Sequence, residues 1–181
     1  MGSEELHELQ EHAEHAAHNP SLAPVSLSMA ILAVLVAVVS LLGHRAHTEE
    51  VLLQAKASDQ WAYYQAKNIR GHNDKLFAAL TAVVSSSNPE ALAKVREDYL
   101  KESERYADEQ NEIQKEARAL ENEVAIQQRR ADRYDLGEVF LEIALVVTSI
   151  TLLSGRRIFW HAGLLMGAVG LAIAAIGLLT H

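Results

Sequence analysis

Three apolar runs constrain this chain more than any other feature: Val25 to Gly43, Leu136 to Leu153 and Ile158 to Leu179. Each has about the 20-residue length that a helix needs to cross the hydrocarbon core of a bilayer. The first and third contain no Asp, Glu, Lys or Arg, whereas the second carries Glu138 and Glu142. The expected fold is an all-α membrane protein with transmembrane helices at 25–43, 136–153 and 158–179, the last two joined by a turn at 154–157. A cleaved leader would need a basic start and a shorter apolar stretch. Residues 1–24 hold no Lys or Arg, so the first run reads as a retained anchor.

Charge is distributed unevenly over the 181 residues, whose formal total is −8. The tail 1–24 has five Glu and no base, and the segment 44–135 has 17 acids against 14 bases. No basic field of the size that nucleic acid demands is present, so nucleic acid is not an expected partner. The chain has no cysteine, which excludes disulfides, thiolate zinc sites and cysteine nucleophiles.

The segment 44–135 has no Pro before Pro89 and one Gly, Gly71, a composition that favours long helices. Its one clear break is "SSSNPEAL". There Asn88 can cap a helix, Pro89 suits the first helical position, and Glu90 suits the first turn. Two arms of about 63 and 70 Å follow, at ~1.5 Å per residue, with the turn near 86–88. Both arms end at a span, so an antiparallel helical-hairpin, coiled-coil stalk is expected. The outgoing arm offers Ala55, Ala62, Ile69, Leu76 and Val83 at sevens, with Leu52 and Leu80 nearby. The return arm offers a heptad-like series through Leu92, Tyr99, Tyr106, Ile113, Leu120 and Val124, interrupted by Glu102, Glu109 and Glu116. So mixed a seam implies that more than two helices share the bundle, hence a homo-oligomer. Neither arm is separated from its span by a strong breaker, so each arm reads as an extension of the span.

The stretch "SDQWAYYQAK", Ser58 to Lys67, together with a His/Glu-rich tail, an anchor and a C-terminal pair of spans, resembles the bacterial family called domain of unknown function 4337. The likeness covers nearly the whole chain. It implies this layout and brings no activity, cofactor or site residue with it.

Arg45, Arg129, Arg130 and Arg133 flank the spans on the stalk side, against Arg156 and Arg157 on the other. The positive-inside rule then places the stalk in the cytoplasm and the acidic tail outside the bacterial inner membrane. An acidic tail also crosses outward more easily against an inside-negative potential.

Four features could carry chemistry. Glu138 and Glu142 lie one helical turn apart on one face near the stalk side, where His44, Arg45 and His47 leave the first span and are candidate charge partners. An intramembrane acid is a functional candidate, here as a ring of carboxylates at a pore mouth; the alternative is a local ion pair for Glu138 and a bundle-facing Glu142. Small residues recur at Gly163, Gly167, Gly170, Ala174 and Gly177, and again at Ala30, Ala33 and Ala37 flanked by Ser26 and Ser40. Such stripes serve helix packing, within or between subunits. Trp61, Tyr63 and Tyr64 lie about 27 Å beyond the first span, too far for an interfacial belt. They are expected to pack on the return arm or another subunit, or to dock a cytoplasmic protein partner. His12, His15 and His18 beside Glu11 and Glu14 have a weak metal-binding spacing, but steps of three rotate around a helix and do not make one tight site.

No phosphate loop, nucleophile with its base, or paired-His motif is present, so neither an enzyme nor a cofactor is expected. Three functions compete. The first is a non-enzymatic oligomeric scaffold with a protein-binding stalk. The second is an ion or proton conduit using Glu138 and Glu142, whose order of spans resembles proton-driven motor subunits of the ExbB type. The third is an insertase-like role, since insertases of the YidC/EMC/Get superfamily similarly place a coiled coil between their first two spans.

Overall fold

A computed structural model describes residues 22–180; His12, His15 and His18 lie outside the described residues. These residues form three helices: α1 Ala23–Val83, α2 Pro89–Ser154 and α3 Arg157–Leu179. No strand occurs among the described residues. Each helix contains a stretch long and apolar enough to cross a membrane by length and composition. The run 25–43 and the polar segment after it belong to one helix, as do the return segment and the run 136–153. The sequence between them holds good helix formers and isolated glycines whose ~1 kcal/mol cost packing can offset.

The break at 84–88 is chemically specified. Asn88 accepts a hydrogen bond on Oδ1 from the backbone N–H of Ala91 at 3.1 Å, satisfying one of the orphan donors of α2. Pro89 stands where a missing N–H costs nothing, and Glu90 faces the positive end of the helix. At the other end of α2, Gly155 adopts φ +66 and donates to the Thr151 carbonyl at 2.9 Å. Nothing lies within 4 Å of an added Cβ there, so the left-handed backbone rather than space calls for glycine.

The chain divides into an apolar unit, Met1–Thr48 with Ile126–His181, and a polar unit, Glu49–Ala125. In the apolar unit, Gly163, Gly167, Gly170, Ala174 and Gly177 of α3 are all buried. Gly163 and Gly170 lie against α2 at backbone distance, and Gly177 lies against the side chains of Arg133 and Tyr134. A Cβ on Gly170 would stand 2.8 Å from the Gly137 carbonyl oxygen, and one on Gly137 would stand 2.9 Å from the Gly170 carbonyl oxygen. A Cβ on Gly163 would fall 2.1 Å from Thr148 Oγ1. The α3 stripe therefore serves packing within the chain.

The α1 stripe is placed differently. Ala30 and Ala37 are exposed and Ala33 is half-buried, while Val25, Met29, Leu32 and Val39 form the buried face of α1. Leu32 reaches over Gly167, where its Cδ2 would lie 2.7 Å from an added Cβ. Trp160 Nε1 donates to Ser28 Oγ at 2.8 Å, which links α3 to α1. Arg130 Nε donates to the Gly177 carbonyl at 3.5 Å, placing a cation at the negative end of α3.

In the polar unit the packed positions of α1 are not the apolar sevens. Leu53, Ala57, Gly71 and Ala78 are buried, with Gln60, Tyr64, Lys67 and Asp74 half-buried between them. Ala55, Ala62, Ile69, Leu76 and Val83, with Leu52 and Leu80, are all exposed. On α2 Ser103, Ile113 and Ala117 are buried and Leu92, Tyr99, Tyr106, Leu120 and Val124 of the return series are half-buried, so Glu102 and Glu116 each stand one residue before a small buried residue. Small residues let the backbones approach, and the Glu116 carboxylate reaches across the edge of the contact. Gln60 donates to Glu116, Lys67 to Glu109, and Phe77 stacks on Tyr99 with ring centroids 5.5 Å apart. The numbering falls on α1 as it rises on α2.

Gly170→Ala forces a methyl into the Gly137 carbonyl, so it should lower unfolding stability by about 1–3 kcal/mol, the usual cost of overpacking. Denaturation of the purified full-length protein in mixed micelles measures this, with exposed Ala168→Leu on the same helix as the comparison.

Candidate functional site

Two clusters of polar side chains are candidates for a site, one in each unit. In the apolar unit, α2 presents Asp135, Glu138 and Glu142 over its first two apolar turns. Asp135 is the acid that meets a candidate partner: its Oδ2 lies 3.0 Å from His47 Nε2. His44 turns back along its own helix, with Nδ1 2.8 Å from the Ser40 carbonyl oxygen. Among the described residues no hydrogen bond or ion pair joins His44 or Arg45 to Glu138 or Glu142. Glu138 is half-buried. Glu142 is exposed, on the same side of α2 as Val139 and Val146. It does not face the interior of the three-helix unit, so the expectation of a bundle-facing carboxylate gives way to an outward one. The cause is geometric. The buried line of α2 runs through Tyr134, Gly137, Leu141, Ala144 and Thr148, and a residue next in sequence to Leu141 is turned about 100° from it.

In the polar unit the aromatic stretch and a lysine form one node. Trp61 donates from Nε1 to Glu121 Oε1 at 2.8 Å and stands edge-on to Tyr64, centroids 5.5 Å apart. Tyr63 is exposed. Lys67 Nζ lies 5.4 Å from the centre of the Tyr63 ring and 4.9 Å from that of Tyr106, within cation–π range of both. It also donates to Glu109, which Arg105 approaches from the other side at 3.5 Å. Arg105 in turn pairs with Glu102 at 2.8 Å. Two of the three glutamates that interrupt the return series are thus held by bases.

Hydrogen bonding to Glu109 holds the Lys67 ammonium above the usual lysine value, against burial, which pulls it down. The same bond holds the Glu109 carboxyl below the usual glutamate range, with burial opposing and the Lys67 and Arg105 charges adding to it.

Sequence reasoning missed Asp135, Lys67 and Glu109. Asp135 sits one residue outside the apolar run, and its partner is 88 residues away, so only the pairing of the two helices reveals it. Lys67 and Glu109 each look like ordinary surface charges until the helix register brings them together. No group of three His, Cys, Asp or Glu residues placed to hold a metal occurs among the described residues.

One family model, described as "Domain of unknown function (DUF4337)", matches residues 21–180. No curated protein and no solved structure matches the chain.

The Lys67–Glu109 pair gives the polar unit a pH dependence of defined sign. Because the folded Glu109 carboxyl titrates below its usual 4.5, the pair's contribution is present above that value and is lost as pH falls through the lower folded value. Because the folded Lys67 titrates above its usual 10.5, the alkaline loss begins only beyond that point. Thermal melts followed by circular dichroism should therefore show Glu109→Gln with a weaker acid-side fall in melting temperature than the parent protein.

Proposed function

The chain belongs to the DUF4337 family, a domain of unknown function, and from that premise we propose that it is a non-enzymatic membrane scaffold. In this reading the three apolar helices anchor an oligomer in the bacterial inner membrane. The segment 44–135 is an antiparallel helical-hairpin, coiled-coil stalk in the cytoplasm that presents a surface to a protein partner. The observation that carries the reading is the run of cross-helix contacts from Gln60–Glu116 through Lys67–Glu109 to Phe77–Tyr99. Such a series holds two helices in register over several turns and leaves their outer faces available. The excess of arginines flanking the spans on the stalk side supports the cytoplasmic placement. Exposed Tyr63, beside Trp61, supports a docking role for the aromatic stretch.

A second reading is favoured by one observation. Glu142 is exposed and has no hydrogen-bond or ion-pair partner among the described residues. In hydrocarbon an unpaired carboxylate costs several kcal/mol, so a neighbouring subunit or a water-filled path would relieve it. Repeated around a ring, Glu142 and Glu138 would line a conduit for protons or cations.

For the scaffold, native mass spectrometry from lipid nanodiscs should give a dimer or larger assembly, and a monomer at all loadings sinks the proposal. For the conduit, proteoliposomes should show a proton or sodium flux that Glu142→Gln reduces at least tenfold, about 1.4 kcal/mol in barrier terms. Flux unchanged by that substitution removes the second reading.

A further inference from the structure

Helix α1 carries two heptad lines in the polar unit, and only one is used. The inner line, at 53, 57, 60, 64, 67, 71, 74, 78 and 81, is buried or half-buried against α2. The outer line lies two residues on, at 52, 55, 59, 62, 66, 69, 73, 76, 80 and 83, and every one of its positions is exposed. Two residues on a helix turn by about 200°, so the outer line runs down the opposite side. It is also the more apolar of the two. Leu52, Ile69, Leu76, Leu80 and Val83 are each more than half exposed, and Ala55, Ala62 and Ala66 fill most of the remaining steps. Alternating steps of three and four sustained over more than four heptads are the requirement for knobs-into-holes packing with another helix.

Resting on the scaffold reading, we propose that this outer line is the interface with a second copy of the same chain, α1 against α1, parallel and in register. Three observations select that occupant. The outward face of α2 carries Glu104, Asp108, Lys115 and Arg118, all exposed, so α2 of a second copy offers no matching apolar line. In both copies the same apolar run 25–43 precedes the line, so two chains anchored in one membrane enter it in the same direction. In that parallel arrangement Asn73 faces Asn73 of the second copy at an a-type position, where a side-chain amide pair fixes register and partner number. The symmetric contact is isologous and closes at two chains. Asp59 also faces its copy, and like charges there make it the weakest layer of the contact.

The absence of cysteine makes the test direct. Full-length single-cysteine variants Ile69→Cys and Leu76→Cys are reconstituted in lipid nanodiscs and mildly oxidised beside Glu104→Cys and Lys115→Cys. The seam variants should form covalent dimers about tenfold faster than the α2 variants, since a disulfide requires Cβ atoms about 4 Å apart. In unoxidised samples, Leu76→Lys should weaken the dimer about tenfold or more and Asp59→Leu should strengthen it, with helical circular dichroism unchanged in both. Equal linking at all four positions, or a dimer weakened by Asp59→Leu, overturns the proposal. A dimer by mass whose seam cysteines stay unlinked overturns this interface and leaves the scaffold standing. A monomer by mass overturns both.

Discussion

How closely α2 and α3 approach sets the rest of the apolar unit. In a bilayer, where lipid tails are as apolar as leucine, helices of this composition would gain little from hiding leucines and would associate through close contact instead. Here the contact is backbone to backbone at Gly137 and Gly170, each facing the other's carbonyl oxygen, which suits weak Cα–H···O bonding. The bulk that α3 lacks on that side is carried on its other face by Leu164, Leu165, Leu171 and Leu178. Thr148 and Thr151 are fully buried, and Thr148 returns its hydroxyl to the Ala144 carbonyl at 2.7 Å, so its polarity is spent on its own helix. α1 then joins by a different rule. Its large side chains, Met29 and Leu32 among them, fill the surface that the thin α2–α3 contact leaves.

The polar unit uses a related device. Ala57, Gly71, Ser103 and Ala117 keep the helices near, while Gln60, Lys67, Glu109 and Glu116 bridge from the edges. Bridges of this kind are each worth little in water. Together they tie α1 to α2 along one line, Gln60 to Glu116 and Lys67 to Glu109.

Much of the architecture was legible in the chain. Three apolar runs gave three helices of spanning length, and Asn88-Pro89-Glu90 marked the start of α2 because capping is a local matter settled within four residues. The five-member stripe of α3 announced close packing, though not with what. Failures came where two helices had to be considered together. Hydrophobicity chose Ala55, Ile69 and Leu76 as the face of α1 toward α2, and the packed face proved to be the smaller and more polar one. Glu102, Glu109 and Glu116 looked like defects in the return series because the packed positions lay one residue away for two of them. Glu142 had two readings, a carboxylate ring at a pore mouth and a side chain facing the helix bundle, and its exposure on α2 departs from the second. Neither the outward direction of Glu142 nor the pairing of Asp135 with His47 could be read from spacing along one helix.

Gly155 has a consequence for the order in which the apolar unit is assembled. Only Gly155 and Arg156 separate α2 from α3, so closing that connection costs little chain entropy. The contacts that bring in α1 span far longer loops: 88 residues between His47 and Asp135, and 132 between Ser28 and Trp160. Short-range contacts form first wherever loop closure limits the rate. The left-handed glycine therefore lets α2 and α3 pair from their connection at a lower loop-closure cost than either of these contacts carries.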